Sequence, residues 1–294
     1  MDQTIPPSPF PLQTSIKGPA VPVPYPANPV IVLSGAGGRP VDLAMFASED
    51  DDKACFETLT YPGWREYVQH GFTADKLVAQ LVDQMIARVP VGPIHIIGVS
   101  LGGHFGYAAA LRLQELGHPV GSFCSVDTYM TASAAPGDGW GKRALQSAAK
   151  LLRNFRFGEF IQFLRSRFWR ALLRLSMQYL PALLRRYSET GRQPQLFKFD
   201  PLLEEELSMR LLIQHSIPFV ASLNSKNRPL HVQAVMFRTA IAHEDDAAWL
   251  RRCPEMKIIQ IPHDHESMFE PAGMSTIRKE YATAKREWQA QLSP

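Results

Sequence analysis

Cysteine is scarce in this chain, and the three present, Cys55, Cys124 and Cys253, lie too far apart for a pairing pattern or a metal-ligand spacing. That scarcity argues against a disulfide framework and for ordinary buried thiols in a reducing, cytoplasmic compartment. Long hydrophobic runs are missing too: no stretch reaches the roughly 18 apolar residues of a membrane helix. The N-terminus has neither a basic region nor a long apolar run, so nothing there reads as a secretory signal. Charge is modest, at 20% of 294 residues against 45% hydrophobic. This balance suits one large α/β domain with an insertion better than two independent domains. Hydrophobic periodicity is weak in residues 1–29, which hold nine of the 24 prolines and read as an extended or disordered leader. With Met1 heading this leader a discrete polypeptide is expected, a domain excised from a longer chain being the alternative.

What is present begins with Ile-His-Ile-Ile-Gly-Val-Ser-Leu-Gly-Gly at positions 94–103. An apolar run ending in Gly-x-Ser-x-Gly and leading into a helical segment is the strand, turn and helix start that present a nucleophilic serine. Here that serine is Ser100, and Gly98 and Gly102 leave room where chain segments crowd the turn. The helix over 103–117 is stopped by Gly117. Thr73 caps an earlier helix over 73–88.

A serine nucleophile needs a base and an acid. One crossover beyond the serine, Ser-Phe-Cys-Ser-Val-Asp reads as a strand with Asp127 at its C-terminal end. A right-handed connection places that end beside Ser100. Asp245 and Asp246, after the strand near 230–237, are rival acids, and Asp127 also suits a turn or a helix cap. A last strand at 256–262 is followed by His263 and His265, both candidates for the general base. The alternation of strand and helix describes a mostly parallel, doubly wound sheet with its site at the C-terminal strand edge.

Gly-Val-Ser-Leu-Gly-Gly, Ser-Val-Asp-Thr-Tyr and Ile-Pro-His-Asp-His-Glu-Ser-Met, in this order, resemble motif blocks of the thioesterase domains of nonribosomal peptide and polyketide synthases, in the α/β-hydrolase superfamily. Val-Leu-Ser-Gly-Ala-Gly-Gly at 32–38 and Pro-Leu-His-Val-Gln-Ala-Val-Met-Phe-Arg-Thr-Ala at 229–240 add two more. Ser34 and Gly35 stand where that family usually has His-Pro. The resemblance implies an α/β-hydrolase domain over 30–294 with a helical lid at about 136–228. It implies Ser100 as the acylated nucleophile, His265 as base and acid, and Asp127 as its orienting carboxylate. The amides of Leu101 and Ala36 would form the oxyanion hole. No cofactor or metal is implied, since the acyl group arrives on a carrier protein's phosphopantetheine arm. Hydrolysis or cyclisation of an acyl, peptidyl or polyketide chain would follow. A free-standing esterase or acyltransferase, and a non-catalytic scaffold, are the alternatives.

Acidic residues are nearly absent from the proposed lid: Gly141 to Arg192 carries twelve Lys or Arg against Glu159 and Glu189. Such an excess points to an acidic partner, the carrier protein. Nucleic acid or an anionic membrane surface would meet the same electrostatics but leave the serine motif unexplained. The remaining histidines, at 70, 95, 104, 118, 215, 231 and 243, read as surface or packing residues, with a reservation for His104, four residues past Ser100. The lid aromatics Phe155, Phe160, Phe163, Phe168, Trp169 and Tyr179 read mostly as packing.

Overall fold

The computed structural model describes residues 29–36, 41–47, 55–130, 157–191, 194–226, 228–239, 246–265 and 267–292. Six strands form one sheet: β1 (Val30–Leu33), β2 (Phe56–Leu59), β3 (Ile94–Val99), β4 (Val120–Val126), β5 (Gln233–Thr239) and β6 (Met256–Ile261). Their order is β2-β1-β3-β4-β5-β6, and every pairing is parallel. This is the mostly parallel, doubly wound sheet that the alternation of elements predicts. Successive residues of β1 enter opposite cores: Ile31 and Leu33 pack on one face, Val30 and Val32 on the other. Period-two alternation with both sides apolar is what a sheet covered on both faces requires.

The helices that cover it are legible locally. Helix α1 spans Trp64–Tyr67 and α2 spans Ala74–Arg88. Thr73 accepts a hydrogen bond from Lys76 N at 3.2 Å, a cap worth about 1 kcal/mol. Helix α3 (Leu101–Glu115) follows the serine, and Gly117 closes its end at φ 79°. Helices α2 and α3 fill one face. The C-terminal helix, Pro271–Leu292, covers the other with Ile277, Tyr281, Ala284 and Trp288.

Between β4 and β5 lies a helical insertion, α4 (Phe157–Ser176), α5 (Leu180–Glu189), α6 (Gln195–Phe199) and α7 (Pro201–Lys226). Pro181 does interrupt the helical run, since α4 has ended before it and it lies in the first turn of α5, where its missing N–H costs nothing. The helix expected over Pro201–Ile213 runs a further three turns through Pro218. Burial of Ser216, Phe219 and Val220 holds it, with Phe219 stacked on Phe105 of α3 at 5.6 Å. Tertiary packing outweighs the proline there. The leader, the lid's first part at 136–156, and Phe155 among its aromatics fall outside the described residues. Phe168 and Tyr179 are 60% and 73% exposed, the exceptions in a set read mostly as packing, although Phe168 still meets Trp169 edge-on at 5.0 Å. After β5 the short helix α8 (Asp246–Arg252) leads into β6, and the C-terminal helix is α9.

Candidate active site

Parallel strands β3, β4 and β5 end side by side, with Val99 opposite Val126 and Val126 opposite Phe237. Ser100 and Asp127 are therefore the first residues past two adjacent strands. Each is locked to its neighbour: Ser100 N donates to Val126 O at 2.7 Å, and Asp127 N donates to Phe237 O at 2.8 Å. Among the described residues, these two are the only non-glycine residues with positive φ, 52° and 47°. Such backbone costs of the order of 1–3 kcal/mol per residue and persists only where the surroundings enforce it.

The crowding that enforces it at Ser100 is visible. A Cβ on Gly98 would collide with the carbonyl oxygen of Gly102, and one on Gly102 would collide with that of Leu33. The loop after β1 presses on Ser100 itself, since a Cβ built on Gly35 would lie 3.3 Å from Ser100 Cβ and 3.9 Å from its Oγ. Tyr61 pins this loop by donating to Ser34 O at 2.6 Å. Ala36, the next residue, is thus one step from the serine. Leu101 opens α3, so its N–H has no helical carbonyl four residues back and points out of the helix N-terminus.

Asp127 is fully buried, and both its oxygens are occupied. Oδ1 accepts from Thr239 N at 3.0 Å and from Thr239 Oγ1 at 2.7 Å. Oδ2 lies 2.6 Å from His265 Nδ1 and accepts from the Tyr129 hydroxyl at 2.9 Å. Burial alone would push this carboxyl up, but the hydrogen bonds from His265 and Thr239 outweigh it and hold the carboxyl below its ordinary range. Asp127 is therefore a carboxylate. Burial, chiefly, pushes the Tyr129 phenol up, and the neighbouring charge on Asp127 adds to this, so the phenol stays protonated and able to donate. Arg238 lies over the Tyr129 ring at 5.6 Å and donates to Thr128 O at 3.2 Å, fixing the turn that carries both residues.

His265 follows β6, and its side chain is 41% exposed, with Nδ1 on Asp127. Its Nδ1 contact with an anionic acceptor puts the proton on Nδ1 and leaves Nε2 as a base. It makes no hydrogen bond to Ser100 in this structure, a contact that in such sites commonly tightens only when substrate binds.

Of the rival acids, Asp246 is engaged elsewhere. It forms a 3.0 Å ion pair with Arg238, whose side chain is 2% exposed. Asp245 and His243 lie outside the described residues. Of the two candidate bases it is His265, not His263, that bonds Asp127, whose Oδ2 is shared by His265 and Tyr129. His104 is held elsewhere: it is buried, bonded through Nε2 to Tyr129 O at 2.6 Å and stacked on Trp249 at 5.7 Å. Burial drives its pKa down to about 4, so it is neutral. Sequence reasoning missed Tyr129 and Thr239. Each lies inside a motif block, Tyr129 at the end of Ser-Val-Asp-Thr-Tyr and Thr239 in the 229–240 segment, but nothing in the sequence marks Thr239 as a partner of Asp127, 112 residues away.

The lid charge is less one-sided in three dimensions. Arg165 pairs with Asp200 at 2.6 Å and Arg170 with Glu206 at 2.7 Å, the partners lying at the start of α7 and within it. Arg185 donates to Val68 O at 2.7 Å. Arg174 and Arg186 remain exposed. Arg153 and Arg156 lie outside the described residues. Among the described residues no helix is long and apolar enough to cross a membrane, and no cluster of His, Cys, Asp or Glu is arranged to hold a metal.

A model of the thioesterase domain family matches residues 28–277. The fold is similar to that of the NocB thioesterase domain, solved in covalent complex with a fluorophosphonate nocardicin G analog. Identity is 16%, with 87% of this chain and 94% of that chain covered and a TM-score of 0.51. It is also similar to the Vlm2 thioesterase domain carrying genetically encoded 2,3-diaminopropionic acid and bound with a dodecadepsipeptide, at 18% identity, 88% and 95% coverage and a TM-score of 0.52. A wild-type Vlm2 structure gives 18% identity, 87% and 91% coverage and a TM-score of 0.52. No curated protein matches the sequence significantly.

Proposed function

The chain belongs to the thioesterase domain family, and we propose that it releases an acyl, peptidyl or polyketide chain from a carrier protein through an ester on Ser100. His265 Nε2 takes the Ser100 hydroxyl proton as Oγ attacks the thioester carbonyl. The resulting oxyanion lies at the N-terminus of α3, with the amides of Leu101 and Ala36 as its donors, each worth about 3 kcal/mol. Collapse breaks the C–S bond, and the imidazolium returns the proton to the phosphopantetheine thiolate. Water, or a nucleophile within the chain, then attacks the acyl-serine with His265 again as base, and Ser100 leaves with the proton. Asp127 holds the imidazole in the Nδ1–H tautomer and stabilises its cation without taking the proton.

The observation that carries this reading is the 2.6 Å contact between His265 Nδ1 and a buried carboxylate one strand away from Ser100. The helical insertion serves as the lid over the acyl chain, and its exposed arginines, Arg174 and Arg186 among them, receive an acidic carrier.

A serine-reactive fluorophosphonate, followed by peptide mass spectrometry, tests the nucleophile. The adduct is expected on Ser100 and is absent from Ser100→Ala. Labelling of another residue with Ser100 free overturns the assignment. Carrier-bound, CoA-bound and simple nitrophenyl acyl groups then separate a carrier thioesterase from an esterase or CoA thioesterase by their kcat/KM.

A further inference from the structure

The insertion forms a half-open cavity of about 900 Å³ lined by fifteen residues, all from 169–207. None comes from the loops that carry Ser100, Asp127 or His265. Well-packed interiors keep few voids larger than a water molecule, whereas small-molecule sites run to about 300–1,000 Å³. This space is therefore of ligand size and lies apart from the reacting centre.

Its chemistry is one-sided. Twelve of the lining residues are apolar, and the others are Ser176, Gln195 and Lys198. Leu173, Leu184, Phe197, Leu203 and Leu207 are buried and form the floor. Leu172, Leu183, Leu196 and Tyr187 stand at the walls with 44%, 52%, 50% and 41% of their surface still open to solvent. Covering such side chains stabilises by about 25 cal/mol per Å² of apolar surface. No acidic side chain lines the space, and its one charged group is the Lys198 ammonium at the exposed end of α6.

Two tryptophans hold the walls in place. Trp169, in the lining, donates to Asp200 Oδ2 at 2.6 Å. Trp64 packs edge-on against Phe197 at 5.5 Å, and its own N–H groups bond Glu204 at 3.0 Å and Ser208 at 3.2 Å. The cavity is thus shaped before a ligand arrives, which reduces the ordering cost of binding.

We infer that this cavity binds a long aliphatic chain ending in a carboxylate, with the chain against the leucine floor and the carboxylate at Lys198. It goes beyond the chemistry at Ser100 and does not depend on it. The test uses the full-length Ser100→Ala protein and the fluorescent probe dansylundecanoic acid, displaced by dodecanoate or by the neutral dodecanol. Saturable probe binding is expected, with dodecanoate displacing it better than dodecanol. Leu183→Asp and Leu196→Asp, at half-exposed walls where thermal unfolding should stay unchanged, are each expected to weaken dodecanoate about tenfold or more. Lys198→Glu should weaken dodecanoate by about tenfold and leave dodecanol unmoved. Wild-type protein carrying a small phosphonate on Ser100 should bind as well as unlabelled protein. The inference falls if the probe does not saturate, if neither wall substitution matters, if Lys198→Glu treats acid and alcohol alike, or if phosphonylation abolishes binding. Failure of phosphonate labelling bears on Ser100 alone, so the two readings fail separately.

Discussion

The Tyr129 hydroxyl donates at 2.9 Å to Oδ2 of Asp127, the same oxygen that faces His265 Nδ1 at 2.6 Å. A carboxylate oxygen shared by two donors is held in one rotamer, and its negative charge is partly spent on the phenol. In the proposed mechanism Tyr129 acts through Asp127 as a positioning residue. Tyr129→Phe keeps the ring and removes the donor. It is expected to lower kcat about tenfold, equivalent to ~1.4 kcal/mol, with KM unchanged. The same loss leaves more of the Asp127 charge facing His265 Nδ1, which favours the imidazolium, so the acid limb of the pH–rate profile should move to higher pH. Steady-state kinetics across pH read both effects, and a fall in kcat with an unmoved limb would mean a purely structural role.

Asp127→Asn should leave the fold intact and lower kcat by about three to four orders of magnitude, since Asn can present a donor to Nδ1 and so favour the wrong tautomer. Asp246→Asn should instead weaken the Arg238 ion pair, reducing thermal stability while sparing turnover. Asp245→Asn serves as the companion variant. If it proves the crippling change and Asp127→Asn is mild, the acid follows β5.

Buried histidines make stability depend on pH. Burial lowers His95 and His104 from 6.5 to about 4. Between those values the unfolded chain binds protons that the folded chain does not, so stability is complete above pH 6.5 and is lost as pH falls toward 4. Each histidine is expected to cost about 2 kcal/mol between pH 7 and pH 5, on the scale of 1.36 kcal/mol per pKa unit. Urea unfolding at the two pH values measures this, and His95→Gln should remove roughly half of the difference.

The lid arginines should divide into two groups. Charge reversal at Arg174 and Arg186 is expected to lower kcat/KM for a carrier-bound thioester and to spare a small neutral thioester. That effect should fade as salt exceeds about 0.15 M, where the Debye length is about 8 Å. Arg165→Glu or Arg170→Glu breaks a pair with Asp200 or Glu206 and should impair both substrates through the insertion itself. Equal loss on both substrates for Arg174 and Arg186 would remove the electrostatic case for a carrier partner.

Local chemistry made much of this protein legible before its fold. The Gly-x-Ser-x-Gly turn, the Thr73 cap and the Gly117 stop depend on residues a few positions apart, and steric limits at that range do not need the rest of the chain. Strand alternation and apolar runs likewise determined a parallel sheet covered on both faces, and with it the edge where Ser100 and Asp127 meet. Distant pairings were decided only in three dimensions. Thr239 reaches Asp127 because β4 and β5 lie side by side, and Asp246 turns to Arg238 because a buried guanidinium needs a counter-charge. The lid's charge excess is local in sequence, yet α7 brings Asp200 and Glu206 against α4 and cancels part of it. Composition counts charges along the chain, whereas Coulomb interaction depends on distance through the folded molecule, and that distance is set by packing.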